Sequence, residues 1–235
     1  MEANANAQLE RLFYMSKDMI YRAAAFGQVL VIDTTAKTNR FDMYLFLASV
    51  MDNRSKSSIV CICFMRTETA MDFGWIFQQM RQAMVSITCD IDQIIQVVVS
   101  DEDKAMMLAI KMHMPNAKQM LCRWHVGQNI HLNCGTLLSN TEIRIQYERI
   151  VEEITDEEQW NTEWNKLLSM IESEIGPSVN YFKEQIYGKR KQICKLWVDQ
   201  YMNMGIYTTQ RAESQHAVRI SITLSFHSHV RHNLI

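Results

Sequence analysis

Residues 94–112, IIQVVVSDEDKAMMLAIKM, change their period at a single point. Up to Ser100 the stretch is a β-branched run, apolar throughout Val97–Val99, with no polar alternation; beyond Asp101, Met106, Met107 and Ile110 recur at helical spacing. A strand with no polar side has to be covered on both faces, and one that passes straight into a helix belongs to a parallel crossover. The chain is therefore expected to build a sheet at least partly parallel and sandwiched by helices.

The segments on either side extend this reading. Residues 5–26 read as a helix, with Leu9, Leu12, Phe13 and Ile20 near one face and Gly27 closing it. A strand over 28–33 comes next. MYLFLASVMD (43–52) and SSIVCICFMR (57–66) are β-rich runs joined by the polar DNRSK, a turn of hairpin length, so three consecutive strands should be antiparallel. Phe73, Ile76, Phe77 and Met80 mark a helix over 69–86, and AKQMLC (117–122) supplies a fifth short strand. From 141 to about 200 the pattern is helical, with TDEE (155–158) reading as a capping box ahead of Trp160, Trp164, Leu167 and Ile171. TTQRAESQHAVRI (208–220) reads as a last helix start.

These segments divide the chain into an N-terminal helix (1–27), the first part of an α/β core (28–140), an all-helical insertion (141–205) and a final helix with the C-terminus (206–235). The 48% hydrophobic and 21% charged content, with two prolines and seven glycines, excludes global disorder. Six scattered cysteines, Cys61, Cys63, Cys89, Cys122, Cys134 and Cys194, are unlike a disulfide-stapled secreted module and point to a reducing compartment. No signal-peptide pattern opens the chain and no run of about 18 apolar residues occurs, so a soluble protein away from membranes is expected. The net charge of −2 gives no bulk signature of nucleic-acid binding. Charge is nevertheless unevenly spread: residues 141–180 carry ten acids against three bases, and 181–235 eight bases against three acids.

Asp33 closes the first strand of the core and Asp101 the fourth. If the sheet sets these strands side by side, two carboxylates meet, and they repel unless a divalent cation compensates them. Oxygen donors select Mg²⁺ or Mn²⁺, and a third acid from a flanking helix, for which Glu213 is the leading candidate, would complete a two-metal site. The alternatives are local: Asp101 or Ser100 as a helix cap, Asp33 stabilising a turn with Thr34 and Thr35, Glu213 as a solvated helix acid.

VLVIDTTAKTNRF, VVVSDEDKAMMLAI, LCRWHVGQNI and YTTQRAESQHA, in that order, resemble the signature blocks of Mutator-like element (MULE) transposases. That family includes domesticated plant transcription regulators related to far-red impaired response proteins. The resemblance implies an RNase H-like mixed five-stranded sheet, three antiparallel strands then two parallel, flanked by helices and interrupted by an all-helical insertion before the last catalytic helix. It also implies an Asp-Asp-Glu triad, Asp33, Asp101 and Glu213, holding two Mg²⁺ or Mn²⁺ ions for cleavage and strand transfer of DNA, in a nuclear, homo-oligomeric protein acting on transposon ends and target DNA. The alternative is a transposase-derived DNA-binding or transcription-regulatory protein without catalysis.

Cys122 and His125 of the CRWH block lie close to the triad in that family. With His131 and Cys134 they form a C-x2-H-x5-H-x2-C string, but a helical spacer would keep the two pairs from one zinc ion, so packing or DNA contact is the expected role for Trp124 and His125. Lys37, Arg40 and Arg211 flank the acids as candidate phosphate contacts, and GKRKQICK (188–195) is a candidate backbone-binding or nuclear-import patch. Ala36 and Asp42 depart from the family pattern, as does everything after Val218, where a truncated or frameshifted copy is the expectation. With near-neutral charge, end recognition would need a partner or a further segment.

Overall fold

The computed structural model describes residues 1–3, 8–35, 41–87, 90–175 and 177–209. Its centre is a seven-stranded sheet built from β1 (Glu2–Ala3), β2 (Leu9–Tyr14), β3 (Val29–Thr35), β4 (Tyr44–Met51), β5 (Ser57–Met65), β6 (Val97–Ser100) and β7 (Lys118–Leu121), in spatial order β1-β2-β5-β4-β3-β6-β7. β3, β4 and β5 form the antiparallel meander, turned between β4 and β5 around Asp52, whose Oδ1 accepts the N–H groups of Arg54 and Lys56. β6 and β7 then add in parallel to β3, as the strand-to-helix switch at Ser100 requires.

The five expected strands are present and contiguous, but the sheet is wider than five. The helix expected over 5–26 is the main correction. Residues 9–14 are strand β2, antiparallel to β5, and β1 pairs on β2's other side. Only Lys17–Phe26 is helical (α1), started by Ser16, which caps the Met19 N–H. Leu9, Leu12 and Phe13 fit helical spacing, yet the open edge of β5 offers a ladder of backbone hydrogen bonds, and tertiary pairing prevails over so short a periodic run.

Two helices cover one face of the sheet: α2 (Ala70–Val85) and α4 (Lys104–His113), with the short α3 (Ile91–Ile94) between them in sequence. There Leu30, Ile32, Phe46, Ala48 and Val98 pack against Phe73, Ile76, Phe77, Met80, Met106 and Ile110. Each such side chain contributes about 1.5–3 kcal/mol on burial. The odd-numbered side chains Val29, Val31, Val97 and Val99 point the other way, against Met120, Val198 and Ile206. β6 is thus buried on both faces, which is why its sequence shows no alternation.

After β7 the chain forms α5 (Arg123–Cys134), a 3₁₀ turn (Leu137–Ser139), α6 (Thr141–Glu152), α7 (Glu157–Glu174), α8 (Ser178–Tyr181), one π-helical turn (Phe182–Ile186), α9 (Tyr187–Ile193) and α10 (Lys195–Val198). Their apolar faces build a second core around Trp160, Trp164, Leu167, Phe182 and Ile186, which takes in Val126, Ile130 and Leu137 from before residue 141. Trp160 and Trp164 stack with centroids 5.2 Å apart, and Trp197 meets Trp160 edge-on. The cap of α7 is Asp156, which accepts from the Gln159 N–H, one residue into the expected TDEE box. No helix among the described residues is long and apolar enough to cross a membrane.

Candidate functional site

Parallel strands deliver their following residues to one edge, and in such sheets the crevice beyond the carboxyl ends is where ligands are held. Here β3, β6 and β7 bring Asp33, Asp101 and Cys122 to that edge. The β3–β6 ladder pairs Val29 with Val97, Leu30 with Val98 and Val31 with Val99. Continued two residues further, that register sets Asp33 level with Asp101, as the sequence reading expects. Asp33 is only 5% exposed, following the apolar run Val29–Ile32 within β3.

Asp101 feels the charges around it. Burial pushes the Asp101 carboxyl above its ordinary value; the Asp103 N–H and the charge on His125 oppose this, and the charges of Asp103 and Asp33 add to it. Asp101 is not the cap of the helix that follows it. Asp103 is, with Oδ1 2.7 Å from the Met106 N–H. Asp101 instead accepts the Asp103 N–H at 3.2 Å, and Ser100 donates its hydroxyl to the Asp101 carbonyl at 2.9 Å. Nor does Asp33 end its strand in a turn: β3 continues through Thr35, and Asp33 pairs with Leu47.

Glu68, which the sequence reading missed, joins this edge from the segment between β5 and α2. It hydrogen-bonds Thr34, and burial lifts its pKa, with the charges of Asp103 and Asp101 adding to the rise. The signal was present in the strand order: β5 runs parallel to β3 across the meander, so residues just past its end emerge beside Asp33.

Cys122 ends β7 and stands at the head of α5, one turn before His125. Burial pushes the thiol up, but hydrogen bonds from His125 and from Thr209 outweigh it and hold Cys122 below the ordinary thiol value. His125 is raised in turn, first by its bond to Cys122 and then by the charges of Cys122, Asp101 and Asp33, with burial opposing. Thr209, fully buried, brings both its N–H and its hydroxyl within 3.3 Å of the Cys122 sulfur. One turn of chain away, the Arg123 N–H donates to the Tyr207 carbonyl at 3.0 Å and the Arg123 guanidinium lies 3.9 Å above the Tyr207 ring. The segment leaving the helical lobe is thereby fastened to the acidic edge.

Trp124 is 41% exposed and meets His125 edge-on at 4.8 Å, leaving indole surface open to solvent beside that imidazole. Cys122 and Cys134 stand at opposite ends of α5, about 18 Å apart along a helix of this length. Among the described residues no three His, Cys, Asp or Glu side chains converge as a metal-ligating group. Glu213, Lys37, Arg40 and Arg211 lie outside the described residues, as do Cys89 and the helix expected to follow Thr209.

The fit of a hard divalent cation can be judged from Asp33 and Asp101 alone. They are an oxygen-only pair of like charge, one nearly buried, with no lysine or arginine of the described residues among the groups that shift Asp101. Such a pair suits Mg²⁺ or Mn²⁺.

Comparison with known proteins gives a consistent result. Residues 29–129 match the family model described as the MULE transposase domain. Three Arabidopsis thaliana proteins align with most of the chain. Protein FAR1-RELATED SEQUENCE 6 is 19% identical over 214 residues, covering 91% of this chain and 29% of that protein. Protein FAR1-RELATED SEQUENCE 5 is 22% identical, covering 86% of this chain and 24% of its own length. Protein FAR-RED IMPAIRED RESPONSE 1 is 20% identical, covering 91% and 25%. The chain spans less than a third of the length of these relatives.

Proposed function

We propose, from the premise that residues 29–129 are a MULE transposase domain, that this chain is a transposase-derived DNA-binding and transcription-regulatory protein of the nucleus. The observation that carries this reading is the extent of the likeness to the FAR1-type proteins. It runs over 86–91% of the chain and so takes in the helical lobe as well as the sheet. In this reading the RNase H-like scaffold presents DNA-contacting surface, with Trp124, His125, Lys37, Arg40 and Arg211 as the contacts to examine.

A second reading, metal-dependent DNA cleavage and strand transfer, is favoured by one specific feature: the register of the parallel strands β3 and β6, continued past Val31 and Val99, sets Asp33 level with Asp101, which feels its charge. Asp33 and Asp101 would hold a divalent cation, with Glu213 as third ligand. When bound, Mg²⁺ or Mn²⁺ supplies charge neutralisation and an activated oxygen nucleophile. What the chain itself contributes is legible in its residues. The buried ends of β3 and β6 fix two carboxylates against strands that cannot shift register without exposing valines. Asp103 and Glu68 add negative potential that keeps cations near. From the Cys122–Thr209 contact Glu213 is four residue steps on, a reach of up to about 14 Å in extended chain, so the third acid is within range of the edge.

One experiment separates the readings. The purified chain is mixed with duplex DNA in EDTA and in Mn²⁺, and binding and nicking are scored together. Retention of DNA in EDTA with no nicking in Mn²⁺ supports the regulatory protein. Nicking that Asp33→Asn, Asp101→Asn and Glu213→Gln each remove supports the enzyme. Neither binding nor nicking would refute both.

A further inference from the structure

Three acids follow β6 in a row, Asp101, Glu102 and Asp103, and each is engaged differently. Asp103 caps α4. Glu102 turns to the helical lobe, where its Oε1 lies 2.5 Å from Lys189 Nζ on α9 and its Oε2 accepts from Asn129 Nδ2 on α5 at 3.2 Å. Asp101 remains at the sheet edge. The Lys189 and Glu102 side chains are only 13% and 22% exposed, so both charges have been taken largely out of water. An ion pair so placed gains little over an apolar pair in stability, and its distinctive contribution is that it defines one geometry. Lys189 lies three residues past the π-helical turn Phe182–Ile186, where one extra residue rotates every later position about the axis. Phe182 and Ile186 stay buried in the lobe core across that turn.

We infer that Lys189 is a positioning residue for Asp101, acting through Glu102, so that the helical lobe sets where one member of the acidic pair stands. This rests on the second reading above, in which Asp33 and Asp101 hold a divalent cation. Glu102 is covalently adjacent to Asp101, and its two partners come from two different helices of the lobe, so the loop is held from the lobe side at the point where the acid is displayed. Losing either partner leaves an uncompensated, mostly buried charge, and the loop must move to hydrate it.

The test uses the full chain and two readouts. In Lys189→Met, amide hydrogen exchange at residues 102–104 should speed up about tenfold, and Mn²⁺ affinity measured by electron paramagnetic resonance should weaken about tenfold, as expected when the support behind a ligand is removed. Lys189→Glu and Glu102→Lys should each do the same, and the double reversal should restore both readouts to within about threefold of wild type. Thermal melts establish that each variant is folded, with Lys189→Gln replacing any that is not. Unchanged exchange at 102–104, or a double reversal no better than the worse single variant, overturns the inference. If wild type binds no Mn²⁺, the cation reading fails, and the exchange measurement alone still decides whether Lys189 positions the loop.

Discussion

Replacing Asp101 with asparagine should stabilise the metal-free protein. Burial is the largest cause of the penalty on its charge, and the charges of Asp103 and Asp33 add repulsion; at an effective dielectric near 20 a like charge on the order of 5–6 Å away costs about 3 kcal/mol. Asp101 is partly open to solvent, which reduces the figure to about 1–2 kcal/mol. Asparagine removes the charge and keeps an oxygen to accept the Asp103 N–H. For a chain of this length the gain corresponds to a rise in melting temperature of about 3–6 °C. The pH dependence has a definite sign. The folded-state value of Asp101 lies above its unfolded value, so the wild-type penalty is complete at neutral pH and shrinks as pH falls through the folded value, vanishing below the unfolded one. Differential scanning calorimetry in EDTA at pH 7 and pH 5 reads both effects. An Asp101→Asn protein that melts at or below wild type at pH 7 would falsify the claim that the charge on Asp101 is held at a cost in the folded protein.

In the cation reading, Mn²⁺ raises the melting temperature of wild type but not of Asp33→Asn, and equal shifts in the two proteins would count against that pair as ligands. Trp160→Ala should cost about 3–5 kcal/mol in urea unfolding, because the side chain is 1% exposed at the centre of the lobe's aromatic stack. Thr209→Val removes the buried hydroxyl from Cys122 while keeping its volume, and should cost about 1–2 kcal/mol; a neutral result would show that the backbone N–H alone fastens the chain there. Gly27→Ala should be destabilising, since a Cβ there would meet the Ala23 carbonyl oxygen at 2.2 Å and neither backbone group can yield.

The sheet's centre was legible because its strands declare themselves by burial: a run such as Val97–Val99 has no polar residue to mislead. The N-terminal strand β2 was not, because Leu9, Leu12 and Phe13 satisfy two periods at once and only the unpaired side of β5 decides between them. At the site, the position of Asp33 and Asp101 followed from strand order and register. The engagement of their neighbours did not. That Asp103 rather than Asp101 caps α4, and that Glu102 reaches a lysine 87 residues along the chain, depends on side-chain direction at a loop, which sequence spacing does not encode. Glu68 lay between these cases, readable only once β5 is known to run alongside β3 in direction.

The contacts of Cys122 and Arg123 with Thr209 and Tyr207 have a topological consequence. The helical lobe departs from and comes back to the sheet through one doorway, with its two jambs hydrogen-bonded to each other. A module hung in this way can be enlarged, trimmed or exchanged over time without the strands having to re-pair, because the gap left behind is already closed.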